Sequence, residues 1–328
     1  MTTTTVPGSR YHQLARTPTN SRTRTIVGTV LGAIGYIILV VVLFAGGTVA
    51  AVALGRPNGP DGYPALGPLA EFILALASII LFLPCVLLAA RWMQGRRAGS
   101  LSSVVGRIRW RWPFGCALVA VPAVLLTVAG TVALYAVTGG DSGEDEWVGW
   151  STFVPALLVV LALVPLQAAA EEYLCRGYLL QSVGAFVRGP WGAIVVQAVI
   201  FALIHGIGSP WGFADLCVFG VVTGWLAVQT GGLESGIALH AVNNLIIFGL
   251  TVGMVGGLTD ESSAADSGWQ LAVVDIVVVV GYALVIRWLA RRFRIMTVSP
   301  AAPALDAPAL DADAEPGLGG SAQHSASA

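Results

Sequence analysis

Read for hydrophobic and polar positions, the chain is a series of long apolar runs separated by short polar stretches. Eight runs approach or meet the roughly 20 residues a helix needs to cross about 30 Å of hydrocarbon at 1.5 Å per residue. They lie near Ile26 to Leu54, Phe72 to Ala90, Phe114 to Val137, Trp150 to Ala170, Gly192 to His205, Phe213 to Gln229, Gly236 to Val255 and Trp269 to Leu289. The pattern predicts an all-α fold, a polytopic integral membrane bundle of about eight transmembrane helices. The first run follows a polar stretch and is far longer than the roughly 7 to 15 residue core of a signal peptide, so it is expected to remain as an anchor. Residues 1–25 are rich in Thr, Ser and Arg; residues 296–328 mix Ala, Pro, Asp and Gly and contain Pro-Ala-Leu-Asp twice. Such compositions bury no core, and both segments read as disordered tails. Between them, residues 26–145 hold the first three helices and residues 146–295 the other five.

Composition removes several classes of function. With 56% hydrophobic and 11% charged residues and a mean hydropathy of +0.79, the chain is not a soluble domain. The net charge of -1 is a cancellation of 17 basic against 18 acidic residues, and it points to no nucleic acid partner. The partners expected are the lipid bilayer and a substrate associated with it. Every basic residue is Arg, which excludes a Schiff-base lysine, a P-loop lysine and a Ser-Lys dyad. Cys85, Cys116, Cys175 and Cys217 show no C-x-x-C spacing and read as small apolar filler.

The arginines also set an orientation, because basic residues in short loops are retained in the cytoplasm. Arg10, Arg16, Arg22 and Arg24 precede the first run; Arg91, Arg96, Arg97, Arg107, Arg109 and Arg111 follow the second; Arg287, Arg291, Arg292 and Arg294 close the eighth. The alternate loops carry Asp141, Glu144, Asp145 and Glu146, or Asp260, Glu261 and Asp266. Eight spans with both termini cytoplasmic satisfy this pattern. The Arg-only, Ala-rich composition points to a bacterial cell membrane.

Ionisable groups are costly inside apolar helices, so each marks a candidate site. The fourth run ends in AAAEEYLCRG, giving Glu171, Glu172 and Arg176; the fifth ends in FALIH, giving Phe201 and His205; the seventh contains HAVNN, giving His240, Asn243 and Asn244. His12 and His324 lie in the polar ends, so the other two histidines both sit in apolar helices. Residues four apart share a helix face, and Glu172 is expected to pair with Arg176 and His240 to align with Asn244. Glu171 is turned about 100° from Glu172 and is free to face a different partner. It is the natural general base. Glu171 reaches the depth of His205 if the fourth helix runs on to about Ser182, and that extension is expected. Singly, each residue has a structural explanation as an ion pair at a helix end or a hydrogen bond between helices. Together they supply a base that holds a water near an imidazole, with imidazole and amide donors for an oxyanion. Asp275, in the eighth run, has no assigned role.

These three segments resemble the CPBP intramembrane proteases, the CAAX prenyl endopeptidase and bacteriocin-processing (Abi) family, whose pattern is E-E-x-x-x-R, then F-x-x-x-H, then H-x-x-x-N or D. EEYLCR, FALIH and HAVNN match in order, over roughly Phe153 to Phe248. The resemblance implies an intramembrane endopeptidase open toward the cytoplasm and acting on a membrane-associated or prenylated-type peptide. Glu171 would activate the water with His205, His240 and Asn244 would support the oxyanion, and Glu172 with Arg176 would stabilise the site. The metal stays open: Glu171, His205 and His240 are an acceptable zinc ligand set, although H-E-x-x-H is absent, and glutamate-activated water without metal is the other reading. The alternative function is a non-catalytic bacteriocin-immunity or scaffolding protein that uses the same residues to bind a partner. A proton-coupled transporter is disfavoured by the lack of an inverted repeat.

Overall fold

With no water in a bilayer core, each backbone N–H and C=O must be satisfied within its own segment, and long apolar stretches therefore become helices. The computed structural model describes residues 6–56, 59, 62, 66–139, 146–260 and 262–301. It contains eight such segments, which we label α1 (Arg22–Ala53), α2 (Pro68–Met93), α3 (Arg111–Thr138), α4 (Trp150–Gly184), α5 (Pro190–Ile204), α6 (Pro210–Thr230), α7 (Glu234–Thr251) and α8 (Trp269–Arg292). Among the described residues six of them, all but α5 and α7, are long and apolar enough to cross a membrane by themselves. The 15 residues of α5 extend roughly 22 Å, and α7 is interrupted by Glu234, His240, Asn243 and Asn244. The all-α class and the count of about eight helices hold. The two that fall short are two of the three that carry the candidate chemistry.

Local signals set the boundaries. Ser21 and Ser209 cap α1 and α6 by accepting the N–H of Arg24 at 3.2 Å and Gly212 at 2.8 Å. Pro190 and Pro210 occupy the first turns of α5 and α6, where the missing N–H costs nothing. Gly231 ends α6 in the left-handed region at φ 72°, and a Cβ there would also stand 2.9 Å from Thr297 Cα.

The helices close a ring. α4 packs on α7, α7 on α3, α3 on α8, α8 on α6, α6 on α5, and α5 returns to the C-terminal end of α4. α1 and α2 flank it. Phe201, Phe219, Leu226, Leu239, Tyr282 and Ile286 are buried within it. Cys85, Cys116 and Cys175 are buried free thiols and Cys217 is half-buried, as filler should be.

Residues 6–25, the described part of the expected N-terminal tail, are packed against the bundle. Tyr11–Gln13 forms a 3-10 turn, and Tyr11, His12, Leu14 and Ala15 are buried. The Tyr11 hydroxyl donates to the Leu101 carbonyl, and Arg16 donates to the carbonyls of Gly184, at 3.0 Å, and Val187. The segment builds no core of its own; it completes one supplied by Val104, Leu180, Ile194 and Leu233. Burial, with Arg16 and Arg10 nearby, lowers the His12 pKa from 6.5 to about 4. The start of the expected C-terminal tail is ordered as well: Gly8 N–H donates to Ser299 O at 3.1 Å and Ser299 N–H to Ser9 O at 2.9 Å. The two ends of the described chain thus meet beside the C-terminal end of α4. Residues 1–5 and 302–328 lie outside the described residues, as do Asp141, Glu144, Asp145 and Glu261 of the loops expected to face outward.

Candidate active site

α4 runs as an α-helix from Trp150 to Glu172, passes through a π-helical turn over Tyr173–Leu179, and resumes as an α-helix to Gly184. The continuation past Ser182 is as expected. π turns widen the helix locally and concentrate at functional sites. Here the turn starts directly after the two glutamates and contains Arg176.

Glu172 and Arg176 form the expected pair, with Nη1 3.0 Å from Oε1 and both side chains wholly buried. The same Glu172 Oε1 meets His240 Nδ1 at 3.1 Å, and His240 Nε2 stands 3.2 Å from Glu171 Oε2. One imidazole therefore lies between two carboxylates. Carboxylate oxygens only accept, so both contacts are satisfied when both ring nitrogens carry hydrogen. Glu171 faces a different partner from Arg176, but it is not free, because that partner is His240.

Aromatic rings complete the enclosure. The Arg176 guanidinium lies 4.1 Å from the Phe201 centroid and 5.6 Å from that of Phe219. Its Nε and Nη2 have no hydrogen-bond acceptor among the described residues. The ring faces compensate part of that loss by attracting the cation. The His240 ring meets Phe219 and Phe201 edge-on, with centroids 5.3 Å and 5.9 Å away. Phe201 thus links the second motif to the first and third.

His205 and Asn244 stand at the margin of this cluster, and both are half-buried. His205 caps α5, its Nδ1 2.8 Å from the Phe201 carbonyl and its ring 4.6 Å from that of Phe201. A carbonyl only accepts, so Nδ1 carries the hydrogen, and in the neutral tautomer Nε2 is the acceptor. Asn244 Nδ2 donates to Gln167 Oε1 at 3.1 Å, and Asn243 Nδ2 donates to Asn244 Oδ1 at 3.3 Å. The imidazole in direct contact with Glu171 is that of His240.

Three contributors were missed in the sequence. Gln167 is a buried amide one turn before Glu171, and its spacing of four was a usable signal. Phe219 and Gly236 gave none. Gly236 lets α7 approach α4: a Cβ there would stand 2.6 Å from Glu172 Oε2.

The zinc ligand set does not assemble. Among the described residues no three His, Cys, Asp or Glu side chains gather closely enough to hold a metal ion. Both nitrogens of His240 are already directed at Glu171 and Glu172.

Fold and site together define an integral membrane helical protein with a buried Glu-Glu-His-Arg cluster under an Asn and a second His. The comparisons agree. Residues 150–246 match the family model described as "Type II CAAX prenyl endopeptidase Rce1-like", so the resemblance carried by the three motifs is borne out over the segment that contains all of them. The uncharacterized protein YyaK of Bacillus subtilis (strain 168) is 27% identical over 187 residues, 55% of this chain and 61% of that protein. The chain thus spans about 61% of the length of the curated relative it matches. No solved structure matches it.

Proposed function

We propose that the protein is an intramembrane endopeptidase that hydrolyses a peptide bond of a membrane-associated substrate, with Glu171 as the general base. The observation that carries this reading is the chain Glu171–His240–Glu172–Arg176, in which two adjacent carboxylates are given different surroundings within the bilayer. Glu172 is held by Arg176 and His240, whereas Glu171 meets His240 through Oε2 and has no arginine beside it among the contacts at the site. Glu171 takes a proton from water as the oxygen attacks the peptide carbonyl. The carbonyl electrons move to oxygen, and N–H groups of His240 and Asn244 stabilise that oxyanion. When the C–N bond breaks, the leaving nitrogen takes the proton from Glu171. His205, with its free Nε2, accepts a hydrogen bond from the water and orients it.

To reach the oxyanion Asn244 must leave Gln167 and His240 must turn its Nε2–H from Glu171 Oε2, and the half-buried His205 and Asn244 mark the side from which a peptide enters. An apolar cavity of about 310 Å³ lies between α1, α2 and the π turn, lined by Tyr36, Phe82, Cys85, Leu174 and Tyr178 among others. Its position supports a substrate with a hydrocarbon-like portion, such as a prenylated-type peptide. The arginine distribution and the meeting of the chain ends support two cytoplasmic termini. The engagement of both His240 nitrogens with carboxylates supports water activation without metal, and metal analysis of purified, active protein tests this directly.

The decisive test is turnover of membrane-tethered peptides by reconstituted protein. His240→Ala and Asn244→Ala should each lower kcat by about 10² to 10³ with KM nearly unchanged. A non-catalytic immunity or scaffolding protein would give no product in any form, and the same substitutions would weaken capture of its partner.

A further inference from the structure

Glu234 is the first residue of α7 and is completely buried, which demands a partner at full strength. Arg109, in the loop between α2 and α3, supplies it. Arg109 Nε and Nη2 meet Glu234 Oε1 and Oε2 at 2.7 Å each, and Arg109 backbone N–H donates to Oε1 at 3.0 Å. Such a fork fixes direction as well as distance. Arg109 Nη1 then donates to the carbonyls of Thr230, at 3.0 Å, and Met296, at 2.9 Å.

The rest of the loop reaches the other catalytic helix. Gln94 Nε2 donates to Ser182 Oγ at 2.8 Å and Arg96 Nη1 to Gln181 Oε1 at 2.6 Å; Gln181 Nε2 returns a bond to Ser100 O at 3.0 Å. Burial lowers the Arg96 pKa only to about 10, so the guanidinium stays charged. Ser102 Oγ lies 2.6 Å from the hydroxyl of Tyr173, the residue after Glu172. One residue carries the link across: Leu233 N–H donates to Ser102 O at 2.9 Å, and Val104 N–H donates to Gly231 O at 2.8 Å. The loop lies outside residues 150–246, yet it touches α4 just beyond Glu172 and α7 at its first turn.

We infer that the loop of residues 94–110 sets the register between α4 and α7, with Arg109 and Glu234 as positioning residues that hold His240 between Glu171 and Glu172. This rests on the endopeptidase reading for its kinetic consequence only; the geometric consequence is independent of it. His240 lies six residues into α7, so release of the first turn shifts the imidazole relative to both carboxylates. A displacement of about 1 Å is enough to cost on the order of 10²-fold in rate.

The test compares wild type, Glu234→Gln, Arg109→Gln and the double variant in lipid nanodiscs. Saturation kinetics on a membrane-tethered peptide should show kcat reduced about 10- to 100-fold with KM within about twofold. The double variant should be no worse than either single one, because the two side chains act as a unit. In substrate-free protein labelled with ¹⁵N-histidine, the His240 resonance, assigned by its loss in His240→Ala, should move in all three variants while that of His12 stays. A role in stability alone would lower the melting temperature but leave kcat and the His240 resonance of the folded protein at wild-type values, and that result overturns the inference. If the Gln variants do not fold, Arg109→Lys keeps the charge and loses the fork, and it must show the same displaced resonance. If wild type cleaves no peptide, the endopeptidase reading falls, and the resonance alone decides the positioning role.

Discussion

α1 and α4 are the two longest helices, 32 and 35 residues, and their hydropathies of 2.7 and 2.3 are close. Only 6% of the most apolar stretch of α1 is buried against protein, compared with 33% for α4. The difference lies in what each buries. α1 buries Thr25, Gly28, Gly47 and Ala51 and offers Ile37, Ile38, Val41 and Val42 to its surroundings. α4 buries Gln167, Ala168, Ala170, Glu171 and Glu172, where small residues admit neighbouring helices and polar ones need a partner from them. Apolar length makes a membrane helix in both cases, but only the helix with expensive groups draws in neighbours that complete a site.

The largest effect should follow the loss of the cation at that site. Arg176→Ala leaves Glu172 buried against His240 alone, and should cost about 3 to 5 kcal/mol of stability together with all turnover. Thermal melts in nanodiscs and peptide cleavage measure both; a loss below about 1 kcal/mol would remove the main contrast with α1. Gly236→Ala comes next. Its Cβ would stand 2.6 Å from Glu172 Oε2, so the carboxylate or α7 must shift, with about 1 to 3 kcal/mol lost and turnover reduced more than the fraction folded.

Much of this site was legible because its logic is local. The spacing of four joined Glu172 to Arg176, the offset of one turned Glu171 toward another partner, and matching the depth of Glu171 to that of His205 required α4 to run on to about Ser182. What was not legible depends on distant parts of the chain. Nothing near His240 reveals that it lies between two carboxylates, since that depends on the α4–α7 register, and nothing near Arg109 reveals Glu234, 125 residues away. The N-terminal segment misled for the same reason: its composition builds no core, yet Tyr11 and Leu14 fill one made by residues from Val104 to Leu233.

That segment gives a smaller effect with a defined sign. The folded chain refuses a proton at His12 that the unfolded chain accepts, between its ordinary pKa of 6.5 and about 4. Stability from this group is complete above pH 6.5 and declines as pH falls toward 4. The wild-type melting temperature should therefore fall more steeply than that of His12→Gln across this window, and parallel curves would contradict the burial of the ring. The smallest effect belongs to α1. Val41→Ala, at a residue 61% exposed to its surroundings, should change stability by no more than about 0.5 kcal/mol, and a larger loss would show that α1 is held by a partner.

The central claim is that Glu171 activates the water that cleaves the peptide. The direct measurement is cleavage of a membrane-tethered peptide in ¹⁸O-labelled water, read by mass spectrometry, with wild type and Glu171→Gln compared at equal folded concentration. The substitution keeps the side chain's shape and removes its basicity. The account predicts a wild-type product whose new carboxylate carries ¹⁸O and no product from Glu171→Gln; cleavage by Glu171→Gln at the wild-type rate would contradict it.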